Sequence, residues 1–464
     1  MNPLFNPVLL WRIAKSYLFD LDRVWRCDEE EIRRYQAKSL RRIVKYAYTV
    51  PLYHKKYKDA GVVPQDIKGV EDLDKLPLVT KKDLSGENIE MLLPKGSDVN
   101  RYSVLKTSGS STQPVSLYRD PYTTFRTFIG FLRILREHGI NWRKTRMVIT
   151  ADLSPDSVED TYFSSVALPS LNVFFSMDHI RVFHVGVEPI KLLESIAAFK
   201  PDFIGGYPGI LKMLAILKRK GNGKGVEPCC MATSGELLDG YTREYIENAF
   251  NTKLFDMYGT TECSPMAFQC KQGNYHVNSD FVHIDFINPR EKEAVSGDGG
   301  NIVITRLFGG GTPLVNYTGV SDFVVSSDKK CDCGLHTPLI AEIEGRRVDS
   351  VMLPNGSIIT PLSVTKVFHK AVNRFHTDKI EQFQIIQRSK KELEVLVVVD
   401  EQLRDVDPKV DKLFEGIRRE YMKKIGGGVS INVQEVDEIK TVRKGSPTPP
   451  PVVMSKLGKK LVKH

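Results

Sequence analysis

Seven cysteines in 464 residues are too few and too unevenly spaced for a disulfide framework, which argues against a cross-linked secreted scaffold. A reducing, cytoplasmic compartment is expected instead. No apolar run approaches the roughly 20 residues of a membrane-spanning helix. The opening stretch, MNPLFNPVLLWRIAKSYLF, is amphipathic but interrupted by Arg12 and Lys15. It lacks the unbroken apolar core and small-residue cleavage site of a signal peptide. A helix packed on the domain is expected there, with a surface-lying membrane helix as the alternative. No internal repeat, no long low-complexity tract and no G-x-S-x-G elbow occurs, so a nucleophile-elbow hydrolase is excluded. The formal net charge is +9, but basic and acidic residues are interspersed. Such a balance suits small anionic ligands such as nucleotides or coenzymes better than nucleic acid.

What is present is the composition of a soluble globular chain, long enough for two or three domains. Residues 1–85 read as a helical leader. Within it, 29–49 begins acidic and ends basic, as a helix dipole favours. From about 100 to 320, strand-like runs (MVITADL, PDFIGGY, CCMATSGE, KLFDMYG, GNIVITRLF) alternate with helical ones (TTFRTFIGFLRILREHG, IKLLESIAAF, GILKMLAILKRKG, YTREYIENAF). This alternation predicts an α/β architecture with parallel strands and crossover helices, its ligands outside the carboxyl ends of strands. After GRRVDSV a helix, two strands, a helix and a strand predict a small α+β unit. The expected division is 1–347 and 348–464, the latter ending in a proline-rich basic tail.

Several short loops carry chemistry. Thr107 to Pro114, TSGSSTQP, offers backbone N–H groups and hydroxyls for an anion, without the Gly-Lys-Ser/Thr ending of a P-loop. DMYGTTE, Asp256 to Glu262, joins an aromatic and a glycine to two threonines and a carboxylate suited to Mg²⁺. SGE (Ser234–Glu236), NYTGVSD (Asn316–Asp322) and EGRRVD (Glu344–Asp349) complete the set. In this order and spacing the chain resembles the adenylate-forming superfamily, in its phenylacetate–CoA ligase-like branch, which includes capsule-biosynthesis members. The likeness extends to LRRIVKYAYTVPLYHKKYKDAG and DLDKLPLVTKKDL near the N-terminus.

The resemblance implies a large N-terminal adenylate-forming domain with mixed or parallel sheets and a small mobile α+β C-terminal domain. It implies that Thr107, Ser108, Gly109, Ser110, Ser111 and Thr112 contact ATP phosphates. Ser234, Gly235 and Glu236 match the adenine-pocket segment. Tyr258 would stack on adenine, with Gly259 and Thr260 in the same nucleotide-binding loop. Thr261 would sit beside the α-phosphate and Glu262 would hold Mg²⁺. Asp322 would accept the ribose hydroxyls, Arg346 would contact ribose or phosphate, and Asp349 would be the hinge.

The activity implied is ATP-dependent, AMP-forming activation of a carboxylic acid, followed by transfer to a thiol, with coenzyme A as the expected co-substrate. The alternatives are an adenylate-forming transferase with a non-CoA acceptor and a catalytically impaired nucleotide-binding protein. A homodimer is the oligomer the resemblance suggests. The helix over 123–137, Tyr207-Pro208-Gly209 and the Ser264–Phe268 segment are candidates for the acyl pocket, although Phe125, Phe128 and Phe131 sit at core-like helical spacing.

Three features depart from the family pattern. Thr112-Gln113 replaces the usual Gly-Lys before Pro114, and the ribose loop is one residue longer than usual. Near the C-terminus the family lysine follows a glycine, whereas here Lys444 precedes Gly445, and Ser446-Pro447 follow. Lys444 is the candidate catalytic lysine. Finally, Cys270, His276, Cys331 and Cys333 supply three thiols and an imidazole, a donor set that suits a structural Zn²⁺. Cys27, Cys229, Cys230 and Cys263 are expected to be buried thiols.

Overall fold

The charge gradient over 29–49 becomes the helix Glu29–Ala47, opened by a capping box in which Asp28 accepts from the Glu31 N–H and Glu31 from that of Asp28. Its Leu40, Ile43, Val44 and Ala47 are buried together with Tyr53 and Tyr57 of the next helix, Pro51–Asp59. The computed structural model describes residues 2–107, 115–287, 300–439 and 450–458. The leader therefore packs as a continuous helical layer on the larger unit.

Strands β1 (Ser103–Lys106) and β2 (Ser116–Arg119) form an antiparallel ribbon that flanks the serine-rich loop. Next come β3 (Met147–Ala151), β4 (Ile180–His184), β5 (Phe203–Gly206), β6 (Cys230–Ser234) and β7 (Leu254–Tyr258). These five strands are mutually parallel, in the order β7-β6-β5-β3-β4. Crossover helices Pro189–Phe199, Pro208–Arg219 and Gly240–Phe250 run between them, each with one apolar face in the core.

The alternation stops after β7. Strands β8 (Ala267–Gln269), β9 (Tyr275–Val277), β10 (Val282–Ile287), β11 (Gly300–Arg306), β12 (Asp322–Ser327) and β13 (Leu339–Arg346) extend the same sheet with antiparallel pairings. GNIVITRLF thus yields an antiparallel strand, β11, not another crossover unit. Strand β13 ends at Arg346, and a short hairpin, β14 (Val351–Met352) and β15 (Ile358–Ile359), follows.

The C-terminal unit is a four-stranded sheet under two helices, Pro361–Asn373 and Val410–Ile425. Strands β16 (Ile380–Ser389) and β17 (Glu392–Val399) pair antiparallel, while β18 (Ser430–Glu435) joins β17 in parallel. The tail segment VMS forms β19 (Val453–Ser455), parallel to β16, because the edge of β16 leaves its ladder open there. The two units share one apolar cluster. The Tyr241 hydroxyl donates to the Ile380 carbonyl, and Lys220 pairs with Glu381 at 2.7 Å.

Candidate active site

The parallel strands all end on one side, and their carboxyl ends open into a cavity of about 1160 Å³. Segments following β3, β5, β6 and β7 form one wall, the 319–322 loop and Arg346 another, and Gln382–Gln384 with Pro450–Val453 the lid side. Thr107, Ser234, Gly235, Glu236, Tyr258–Glu262, Asp322, Arg346 and Asp349 all border this one space. Ser108, Gly109, Ser110, Ser111, Thr112 and Lys444 lie outside the described residues.

Thr107 marks the base of the phosphate-loop candidate. It is buried, and its backbone and hydroxyl clasp Val115 across the loop neck, each contact at 3.0 Å. Lys106, beside it, pairs with Asp156 at 2.6 Å. At the end of β6, Gly235 has φ +85, and a Cβ there would meet the Tyr207 ring at 2.6 Å. Only glycine satisfies both conditions. Glu236 then turns back to accept from the Gly209 N–H at 3.0 Å. Burial raises its carboxyl to about 7, with Arg346 opposing the shift.

Strand β7 delivers Tyr258 and the Thr-Thr-Glu turn. The Tyr258 hydroxyl donates to Asp322 at 3.0 Å. Burial, then the Asp322 charge, keeps the phenol protonated far above its ordinary range. Thr260 ties the turn through its N–H to the Cys263 carbonyl, 2.9 Å, and through its hydroxyl to the Cys263 N–H, 3.1 Å. At Gly259 a Cβ would collide with the Ser264 hydroxyl, 2.3 Å away. Glu262 is buried, which pushes its carboxyl upward, and Lys81 acts in the opposite sense. A buried carboxylate at the edge of this cavity suits a divalent cation, whose charge would hold it ionised. Asp256, also on β7, is raised to about 6 by burial against hydrogen bonds from Thr233 and Tyr275, both 2.6 Å. Asp322 opens β12 directly opposite Arg346 on β13. Asp349 ends the short turn Arg347–Asp349 between β13 and β14.

Several contributors escaped the sequence reading. Arg119, fully buried on β2, donates to the Thr261 and Glu262 carbonyls at 2.7 and 3.2 Å and to the Tyr162 hydroxyl at 2.8 Å. It fixes the Thr-Thr-Glu turn from behind. Tyr317 of NYTGVSD, also buried, reaches Glu262 at 3.4 Å. Lys81 belongs to the VTKKDL phrase, which marked the family but no role.

Of the acyl-pocket candidates, Phe128, Phe131, Tyr207, Pro208, Gly209 and Ser264 line the cavity. Phe125 and Phe268 do not; they pack into apolar clusters of the core. Glu159 lies in the same wall and accepts from the Tyr207 hydroxyl; burial raises its carboxyl above the ordinary range.

The four expected metal ligands converge. The donor atoms of Cys270, His276, Cys331 and Cys333 all lie within 4.8 Å of one another. Cys270 Sγ is 3.8 Å from Cys331 Sγ, and Cys333 Sγ is 3.2 Å from His276 Nε2. A tetrahedron with Zn–S bonds of about 2.3 Å has sulfur–sulfur edges of about 3.8 Å. The other ring nitrogen, His276 Nδ1, contacts the Thr337 hydroxyl at 3.2 Å, the outer contact that orients a metal-ligating imidazole. The residues present fit such an ion. Among the remaining cysteines Cys230 and Cys263 are buried as expected, whereas Cys229 is exposed and Cys27 only half-buried. Cys229 precedes β6, in the turn that enters the sheet, where the next residue takes the inward position.

Comparison with known proteins agrees with this geometry. A family model described as the CapK C-terminal domain matches residues 351–446. A phenylacetate–coenzyme A ligase of Thermus thermophilus is 24% identical over 438 residues, covering 87% of this chain and 92% of that one. Protein CapK of Staphylococcus aureus is 21% identical over 374 residues, 80% of this chain and 78% of that protein. Among solved structures, 2-hydroxyisobutyryl-CoA ligase in its postadenylation state superposes with a TM-score of 0.74 at 19% identity, over 94% of this chain and 93% of that one. The same ligase in its thioesterification state gives 0.58 at 18% identity.

Proposed function

This chain has the fold of the adenylate-forming superfamily, with phenylacetate–CoA ligases and CapK among its relatives, and from that premise we propose that it is an AMP-forming acid–thiol ligase. The supporting observation is the gathering of Ser234–Glu236, Tyr258–Glu262, Asp322 and Arg346 around one cavity at the carboxyl ends of parallel strands.

In this reading Tyr258 stacks on adenine against the Gly235 backbone, and Glu236 lines the adenine pocket. Asp322, held by the Tyr258 hydroxyl, accepts the ribose hydroxyls. Arg346 contacts ribose or phosphate, and Thr261 sits beside the α-phosphate and the substrate carboxylate. Two anions must meet when a carboxylate attacks phosphorus, so the site has to oppose their repulsion. A Mg²⁺ ion, when bound, neutralises phosphate charge, and Glu262 is its proposed ligand. Lys81 and Arg119 keep that carboxylate and its turn in place. Thr107 and the hydroxyls of 108–112 hold the departing pyrophosphate, and Lys444 supplies the cation for the α-phosphate. The new bond joins carboxylate oxygen to the α-phosphorus as the bond to pyrophosphate breaks. Rotation about Asp349 would then admit the thiol. A Zn²⁺ held by Cys270, His276, Cys331 and Cys333 has a structural role.

Coenzyme A is the proposed acceptor. The second reading differs in the acceptor alone, a non-CoA group in polymer or coenzyme biosynthesis. Carboxylate-dependent exchange of pyrophosphate into ATP over a panel of acids tests adenylation. Exchange that Glu262→Gln abolishes is expected, and absence of exchange with every acid would sink the ligase reading in favour of simple nucleotide binding. Thioester formation on adding coenzyme A separates the two acceptors.

A further inference from the structure

Among the described residues, nine of the sixteen large exposed apolar side chains lie in two short segments: Phe5, Val8, Leu10, Trp11, Leu18 and Phe19, with Val173, Phe174 and Phe175. Every exposed phenylalanine and tryptophan among the described residues is in this set. The helix Pro7–Asp20 buries Ile13, Ser16 and Asp20 and turns Val8, Trp11, Lys15 and Leu18 outward. The two segments are one surface: Phe5 meets Phe174 edge to face at 6.2 Å, and Asn2 donates to the Ser170 carbonyl. Trp142 joins them, contacting both Tyr17 and Phe175.

The charge around this surface is predominantly positive. Residues 2–19 and 161–177 contain no acid at all. Arg12, Lys15, Arg143 and Lys144 are exposed and in no ion pair with a described residue, Arg12 lying over the Tyr122 ring and Arg143 over Phe175. Of the bordering acids, Asp20 is paired with Arg23 and Arg126 and Asp22 with Arg136, which leaves Asp178, hydrogen-bonded by the Ser176 hydroxyl, as an exposed negative charge beside four cations.

We propose that this face docks the protein on an anionic lipid surface, with the aromatics at the headgroup boundary and the four cations among the headgroups. Outward Trp, Phe and Leu mixed with Lys and Arg on a helix that does not span is the composition of an interfacial helix. A second copy of the chain fits less well. A two-fold contact would bring the Arg12, Lys15, Arg143 and Lys144 cluster of one copy against the same cluster of the other, an excess of like charge that Asp178 alone does not offset. The same face adjoins the apolar end of the cavity, which Leu135, Trp142, Phe163 and Leu168 line. Docking would place that end beside the bilayer, where an apolar acid partitions.

Flotation of the whole chain with vesicles tests this. Binding to phosphatidylcholine vesicles containing phosphatidylglycerol should exceed binding to phosphatidylcholine alone at least ~10-fold and weaken in high salt. Trp11→Glu with Leu18→Glu, both at exposed positions, should lose that binding ~10-fold while melting as the parent does. Lys15→Glu with Arg143→Glu should lose the preference for the anionic lipid. Absence of binding to anionic vesicles, or equal binding by the Trp11/Leu18 variant, overturns the proposal. So does a dimer in solution that this variant converts to monomer without any vesicle binding, which would make a second copy the occupant.

Discussion

Tyr258 and Asp322, 64 residues apart in sequence, are joined by a 3.0 Å hydrogen bond at the centre of the cavity wall. One comes from the last position of the parallel β7, the other from the first of the antiparallel β12. The bond therefore locks the two halves of the large sheet together where the nucleotide is proposed to lie. Tyr258→Phe keeps the ring and loses the lock. Its KM for ATP should rise ~5–10-fold with kcat little changed, the worth of about 1 kcal/mol. Asp322→Ala, which also removes the proposed ribose acceptor, should raise it further. Steady-state kinetics at saturating acid measures both, and an unchanged KM in Tyr258→Phe would dissociate the hydroxyl from nucleotide binding.

The fully buried pair of Arg133 and Asp280 makes a prediction about stability. Arg133 donates through both terminal nitrogens to Asp280 at 2.8 Å, to Asn278 at 2.9 Å and to the carbonyls of Asp20 and Leu21. Every donor is satisfied, and the cluster fastens the leader helix to the Pro121–Glu137 helix and the β9–β10 connection. Asp280→Asn leaves a guanidinium buried without its counter-charge. Urea denaturation should show a loss of about 3–5 kcal/mol. A loss below about 1 kcal/mol would mean that water reaches the site.

These two pairs also show what could be read from the sequence and what could not. Each recognisable loop is a run of three to eight neighbours, so SGE, DMYGTTE and NYTGVSD could be found by inspection, and the fold class with them. The converging metal ligands were legible because Cys331 and Cys333 flank one residue. Arg133 and Arg119 carried no local signal, since the partners of Arg133 lie more than 100 residues away and those of Arg119 at least 43. A buried arginine on a helix of alternating apolar residues looks like any solvated one. Strands β8 and β9 have only three residues each, too few for a period to register, and they are what turns the sheet antiparallel. Phe268, on β8, was misplaced for the same reason, because strand register decides which face a residue takes, whereas Cys229 lies in the turn just before β6.

Glu236 carries a pH prediction. Its folded pKa of about 7 lies above the value of about 4.3 for an unfolded glutamate. Between those values the folded protein holds a proton that the unfolded chain has released. Stability is therefore highest below pH ~4.3 as far as this group is concerned, falls as pH rises toward ~7, and levels off above. Water in the cavity lowers the full effect to about 1–3 kcal/mol. Glu236→Gln retains an acceptor for the Gly209 N–H and has no proton to lose. The variant should gain on the parent at pH 8 relative to pH 5 in chemical denaturation, and parallel pH profiles for the two proteins would refute the assignment.

The Cys₃His cluster is joined through the sheet to the strand that carries the proposed nucleotide site. Cys270 follows β8 directly and His276 lies on β9, while β8 pairs with β7 at Met257 and Tyr258. Cys331 and Cys333 come from the loop before β13, whose Leu339 is registered with His276. An ion at this point ties three strands at one end of the wall whose other end carries Tyr258 and Arg346. Protein purified with Zn²⁺ should contain about one equivalent per chain, and Cys333→Ser should contain much less. Chelation should lower the melting temperature by at least ~2 °C, the worth of about 2 kcal/mol in a chain of this size. Because β7 is paired to the clamped strand, the KM for ATP should rise on metal removal while the acid preference stays the same. Full metal content in Cys333→Ser would remove that thiol from the ligand set, and a melting temperature indifferent to chelation would remove the ion from the structure.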